Sequence, residues 1–217
     1  VYRVNALSRS LETALARAKA PYQVAAGVAF YERSEVKDVL AYLRLIENPR
    51  DRIAFLRIVN TPTRGIGKTS VEKLVRWADE RSVSLLDAAT RAAQVTGLNK
   101  RACGAIHQFA GLVEDLARHA HGPVAELIAE ILARTGYGRI DDIAMANEQE
   151  LQRRSNVEEL ISAARIYDQQ AGDEASLGGF LESTSLAQDV DPLDTDLGAG
   201  TLMTLHAAKG LEFPCVY

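Results

Sequence analysis

The chain opens on "VYRVN", residues 1–5, where β-branched and polar positions alternate and predict a short strand. Leu7, Leu11, Leu15 and Ala18 then recur at helical spacing until Pro21 interrupts them. "YQVAA" reads as a second strand that ends at Gly27. Val36, Val39, Leu40, Leu43 and Ile46 make one apolar helical face, stopped by the Asn48–Pro49 pair. Strand, helix, strand, helix predicts the start of an α/β layer.

From about residue 50 to 195 the strand signals vanish. Ile53, Leu56 and Val59 predict a short helix before Pro62. Thr69 and Glu72 fit a capping box, and Val71, Leu74, Val75 and Ala78 follow on one face. Ile106, Phe109, Val113 and Leu116 form another stripe. Pro123 stands where a first helical residue tolerates proline, with Val124, Leu127, Ile128 and Ile131 behind it and Gly136 at the end. "SNVE", residues 155–158, reads as a second capping box ahead of Leu160, Ile161 and Ala164. "SLGGFLESTSLA" predicts a weaker short helix. "DVDPLDTDLGAG" is a polar linker, after which "TLMTL" and "PCVY" return to a β pattern. The pattern predicts a mostly α chain, with a helical domain inserted into a partial α/β layer to which both chain ends contribute. The expected divisions are 1–48, 49–195 and 196–217.

Composition changes this picture little, and charge changes it more. A chain of 217 residues, 47% hydrophobic and 25% charged, can bury a sizeable core. No apolar run approaches the ~20 residues that a membrane span needs, and no secretory leader is expected from "VYRVNALSRS". Cys103 and Cys215 match no metal spacing and read as buried small side chains in a reducing cytoplasm. No initiator Met is present and the last residues read as the start of a strand, which predicts a piece of something longer. Residues 50–101 hold eleven Lys/Arg against five Asp/Glu, so that block can face a polyanion. Residues 171–200 hold seven Asp/Glu and no Lys/Arg, and would repel one. Charge alone is equally well explained by two solvated faces of opposite sign.

"TPTRGIGKTS", residues 61–70, ends like a nucleotide-binding P-loop. A P-loop needs a further glycine where this chain has Pro62, which has no N–H to offer a phosphate. The alternative is a helix-hairpin-helix. There Gly65 and Gly67 shape a tight turn, Ile66 plugs the apolar space between two helices, and free amides of the turn and of the next helix face a DNA phosphate. Arg64, Lys68 and Thr69 complete that candidate duplex contact, which fixes position without reading sequence. On spacing alone, a plain helix–helix corner explains the same residues. "TGLNKRACGAIHQF", residues 96–109, has a similar layout, with Lys100 and Arg101 near a helix start.

"TLHAAKGLEFP", residues 204–214, resembles motif V of the UvrD/PcrA/Rep group of superfamily 1 DNA helicases. "YRVNALSR" is similar to that family's "YR-x-N-A-Q-S-R", with Leu7 in place of the usual Gln. "PYQVAAGVAFYERSEVKDVLAYLRLIENP" resembles the segment that follows it, and "RIVNTPTRGIG" is similar to the family's "N-T-P-x-R-G-I-G". The resemblance implies that the two chain ends belong to the second of two RecA-like motor domains that grip ATP. It implies that the helical middle is that domain's insertion, and it favours the duplex reading of Gly65–Gly67. It further implies single-stranded DNA contacts by Arg3, Asn5, Thr204 and His206, and nucleotide contacts by Gly210 and Glu212. ATP and Mg²⁺ serve the full-length parent, whose remaining ATP-site residues would precede residue 1 and follow residue 217, so neither is expected on this chain alone. The implied parent is a cytoplasmic, nucleoid-associated 3′–5′ helicase of repair or replication. Its partner is a single-strand/duplex DNA junction, with repair or transcription proteins as further partners and no membrane. Two other readings remain at this point: a non-enzymatic protein-interaction and regulatory module, and a self-contained NTPase built on "GIGKT".

Overall fold

Val36, Val39, Leu40, Leu43 and Ile46 all lie inward on helix α1 (Ser34–Glu47), none more than 5% exposed. Ala41, Tyr42 and Leu45 are buried as well, so this helix is enclosed on nearly every side. A computed structural model describes residues 11, 14–15, 18–24, 30–137, 147–188, 200–202 and 215–216. Around α1 pack α2 (Arg52–Ile58), α5 (Lys100–Ala117), α6 (Val124–Thr135) and α7 (Glu148–Ala171). Helices α3 (Lys68–Arg81) and α4 (Leu85–Thr90) pack on each other, and α4 also packs on α5. Helix α8 (Leu177–Gln188) follows.

The chain divides into two units, one of residues 34–182 and one formed by 1–33 with 183–217. Helix α1 therefore packs with the helical unit. In the other unit, β1 (Tyr22–Val24) pairs in parallel with β2 (Gly200–Leu202), Tyr22 opposite Gly200. Segments from the two ends of the sequence thus meet in one sheet. The expected strand at 1–5, most of the linker from 189 to 200, and "TLHAAKGLEFP" lie outside the described residues.

Local chemistry explains where the helices start. Asp51 caps α2 by accepting from the Ala54 amide at 2.8 Å. Asp168 of α7 reaches across to α6, where its two carboxylate oxygens accept from the Val124 and Ala125 amides at 3.0 Å each. A carboxylate at a helix N-terminus satisfies free donors and opposes the positive end of the dipole.

Two expected helix starts need correction, and one helix has a face that its letters do not show. The short helix predicted from Ile53, Leu56 and Val59 is present as α2, but the buried residues are Phe55, Ile58 and, just past its end, Val59, whereas Ile53 is 82% and Leu56 41% exposed. A two-turn helix carries too few positions to show its face, and Phe55 takes the interior by packing edge-on against Phe109, 5.5 Å between centroids. Thr69 does not cap α3, because the helix already starts at Lys68 with Gly67 as its N-cap. "SNVE" does not start a helix either. Helix α7 begins earlier, at a capping box of Asn147 and Glu150, and runs through Ser155. Asn156, inside α7, is instead buried against α1, where it donates to the Glu35 carboxylate. Burial pushes that carboxyl's pKa up. Hydrogen bonds from Asn156, its own backbone amide and Ser34, with the charge of Arg153, outweigh burial and hold it below the ordinary value.

The cysteines also depart from expectation: Cys103 is half-buried and Cys215 exposed. Among the described residues, no helix is long and apolar enough to cross a membrane.

Candidate nucleic-acid interface

The turn between α2 and α3 is built around one asparagine. Asn60 Oδ1 accepts from the Arg64 amide at 2.8 Å and from the Ile66 amide at 3.1 Å. These two donors face inward and are satisfied. Between them Gly65 takes φ +74°, a left-handed conformation that a β-carbon disfavours. Ile66 fills the interior at 2% exposure, as expected of the plug. Gly65 and Gly67 are exposed, and their amides meet no acceptor among the described residues.

Helix α3 leaves further donors free. Its N-cap, Gly67, offers no side chain, and the first amides bonded to the Gly67 carbonyl are those of Ser70 and Val71, at 2.9 and 3.2 Å. The amides of Lys68 and Thr69 therefore point out of the helix end unpaired among the described residues. Both side chains are exposed. Four N–H groups at and just before this helix N-terminus thus meet no acceptor among the described residues, and donors of this kind, beside an exposed lysine, suit an oxyanion.

Arg64 is arranged differently from the sequence expectation. Its guanidinium turns inward, with Nη1 donating to the carbonyls of Ile58 at 2.9 Å, Pro62 at 3.1 Å and Val59 at 3.4 Å. Nη2 donates to the Tyr42 hydroxyl, which in turn donates to the Thr61 carbonyl at 2.6 Å. The guanidinium carbon also sits 4.9 Å from the centre of the Phe109 ring. Burial raises the Tyr42 pKa, despite the opposing charge of Arg64, so the phenol stays a donor.

The second glycine layout lies beside the first. Gly97 has φ +83°, and Lys73 of α3 donates to its carbonyl at 2.6 Å. Asn99 caps α5, accepting from the Ala102 amide at 2.8 Å. Lys100 and Arg101 are exposed at the start of that helix. A β-carbon placed on Gly65 would stand 3.5 Å from Arg101 Nη2, so the cation of the second turn hangs over the first. Lys68, Lys100 and Arg101 form no ion pair with another described residue.

The nucleotide-loop reading of "GIGKT" fails on geometry. A helix, α2, leads into the turn where a P-loop requires a strand, and Pro62 occupies the position of the missing glycine. Among the described residues no group of three or more His, Cys, Asp and Glu could hold a metal ion. Of the residues named for the duplex contact, Gly65, Gly67, Lys68 and Thr69 are exposed, Ile66 is buried and the Arg64 guanidinium is turned onto protein acceptors. Arg3, Asn5, Thr204, His206, Gly210 and Glu212 lie outside the described residues. Sequence reasoning gave no role to Asn60, Tyr42 or Lys73. Two signals were available for Asn60: its place at the head of the "N-T-P-x-R-G-I-G" resemblance and the habit of asparagine to bond nearby backbone.

Comparison with known proteins agrees along the whole length. A model of the UvrD-like helicase C-terminal domain matches residues 1–217. The chain is 42% identical over 233 residues to the ATP-dependent DNA helicase UvrD1 of Mycobacterium tuberculosis, covering 100% of this chain and 30% of that protein. It is 38% identical over 238 residues to UvrD1 of Mycobacterium leprae, again with 100% and 30% covered. The ATP-dependent DNA helicase PcrA of Staphylococcus aureus is 38% identical over 222 residues, with the same shares. The chain therefore spans about a third of the length of these relatives. By a match that runs from its first residue to its last, the chain belongs to the UvrD-like helicase C-terminal domain family.

Proposed function

We propose that this chain is the part of an ATP-dependent 3′–5′ DNA helicase that holds duplex DNA ahead of the motor, in repair or replication. The observation that carries this reading is the set of exposed amides at Gly65, Gly67, Lys68 and Thr69 that meet no acceptor among the described residues, flanked by Lys68, Lys100 and Arg101. Main-chain donors and cations of this kind suit phosphate of any sequence. Arg3, Asn5, Thr204 and His206 would touch the single strand, and Gly210 and Glu212 one edge of bound ATP with its Mg²⁺. The names of the relatives support the ATP dependence.

The test is duplex binding by the 217-residue chain, followed by fluorescence anisotropy across a salt series. Binding should weaken steeply with salt, and Lys68→Glu should weaken it by at least ~10-fold at low salt. Affinity indifferent to salt, or to Lys68→Glu, overturns the reading. The same preparation should not turn over ATP, since phosphoryl transfer needs phosphate, metal and cation positioned together.

A second reading has one observation behind it. Ile53 and Leu56 leave an exposed apolar pair on α2, which suits a protein partner. Under that reading Ile53→Ser abolishes capture of a repair or transcription protein and leaves duplex affinity untouched.

A further inference from the structure

We propose that Asn60, Tyr42 and Arg64 are positioning residues that hold the glycine turn in its phosphate-receiving shape, and that the Arg64 charge is not itself offered to DNA. The inference rests on the duplex reading above and assigns roles within that site.

The amides of residues 64 to 67 fall into two sets. Those of Arg64 and Ile66 end on one acceptor, Asn60 Oδ1. Those of Gly65 and Gly67, on exposed residues, meet no acceptor among the described residues. A single carboxamide therefore sorts the donors of the turn, and the open set is the one available to an oxyanion. Without Asn60, two inward N–H groups lose their acceptor, and the turn gains reason to rotate until they find water.

Arg64 anchors the same turn to three helices. Its Nη1 meets the carbonyls of Ile58 and Val59 at the end of α2, where a cation also answers the negative end of the helix dipole. Its Nη2 meets Tyr42 of α1. Its flat face lies on Phe109 of α5. Tyr42 closes the circuit by donating to Thr61, one residue after Asn60. Lysine cannot reproduce this arrangement, because it has no planar fork and cannot serve two directions while stacking. With its guanidinium held by four acceptors and a ring, Arg64 has little left for a phosphate, and Lys68 is the exposed cation of the turn.

Salt dependence separates a positioning residue from a phosphate contact, because only a contact changes the number of ions released. The experiment measures duplex dissociation constants of the whole chain over a salt series. It compares Tyr42→Phe, Arg64→Lys, Arg64→Gln, Lys68→Ala and, as a distant core control, Ile131→Val. Circular dichroism confirms folding at the working temperature. Tyr42→Phe and both Arg64 variants should bind roughly 5- to 10-fold more weakly with the wild-type salt slope, as expected for lost hydrogen bonds. Lys68→Ala should lower the slope by about one. Ile131→Val should bind like wild type.

Three results overturn the inference. One is a slope reduced by about one in Arg64→Gln. Another is wild-type affinity in Arg64→Lys. The third is equal weakening in Ile131→Val, which would reduce the effect to general destabilisation.

Failure of the duplex reading shows itself separately, as wild-type chain and Lys68→Ala that bind alike or not at all. Amide hydrogen exchange without DNA then decides the positioning role. Asn60→Ala should speed exchange at Arg64 and Ile66 by about an order of magnitude and leave α6 unchanged. Unchanged exchange at both amides rejects it.

Discussion

Gly67 and Asn99 hold the same place, the N-cap, in two neighbouring turn–helix units, yet they leave opposite chemistry behind them. Asn99 spends its side chain on its own helix, accepting from Ala102. Gly67 has nothing to spend, so the first amides of α3 stay open. The plugs differ too: Ile66 is buried, whereas Leu98 is half-buried. Two segments with similar letters therefore leave one turn with open main-chain donors and one whose exposed cations are the Lys100 and Arg101 side chains. Availability of a helix end is decided by the cap residue, not by the presence of a glycine nearby.

The largest effect should come from the plug. Ile66→Ala removes a fully enclosed side chain and should cost about 2–5 kcal/mol in chemical denaturation. Leu98→Ala should cost clearly less, and equal losses would erase the distinction between the turns. Gly65→Ala comes next, at about 1–2 kcal/mol, because φ +74° is retained only against the β-carbon. The space itself is adequate, since the nearest atom would be an Arg101 nitrogen at 3.5 Å. Asn99→Ala should cost about 1 kcal/mol through the lost cap. Duplex affinity should hold or rise in that variant, because the Ala102 amide is released. The smallest shift in stability is the most diagnostic. Gly67→Ser gives α3 a cap of its own and should stabilise the fold by a few tenths of a kcal/mol. It should nevertheless weaken duplex binding, since the new hydroxyl competes for the same amides. Tighter binding by Gly67→Ser would show that the open helix end is not the contact.

Long stripes were readable from the sequence, and short signals were not. Ile106, Phe109, Val113 and Leu116 span three turns of α5, so their common face is unambiguous, and all four are buried. Helix α2 has two turns, and its exposed Ile53 looks as apolar as its buried Phe55. Capping patterns misled at Thr69 and Ser155, because a hydroxyl followed three residues later by glutamate also occurs inside helices. Which donor a cap meets depends on where the chain turns, and that was set by Gly67 and Asn147 instead. The glycine turn itself was legible, down to Ile66 as its plug. The direction of Arg64 was not, since an arginine beside a basic block looks like a ligand for phosphate until a tyrosine, an aromatic ring and a helix end claim it. Those three come from sequence positions up to 45 residues away, as Phe109 does.

Trp77 is the one tryptophan of this chain, and it rides on α3, the helix that the glycine turn launches. It is 5% exposed, its indole N–H meets no acceptor among the described residues, and Arg81 lies 4.4 Å above its ring. Indole emission, excited at wavelengths where the seven tyrosines do not absorb, thus reports on a single helix. A polyanion that tugs on the start of α3 has an optical witness already in place.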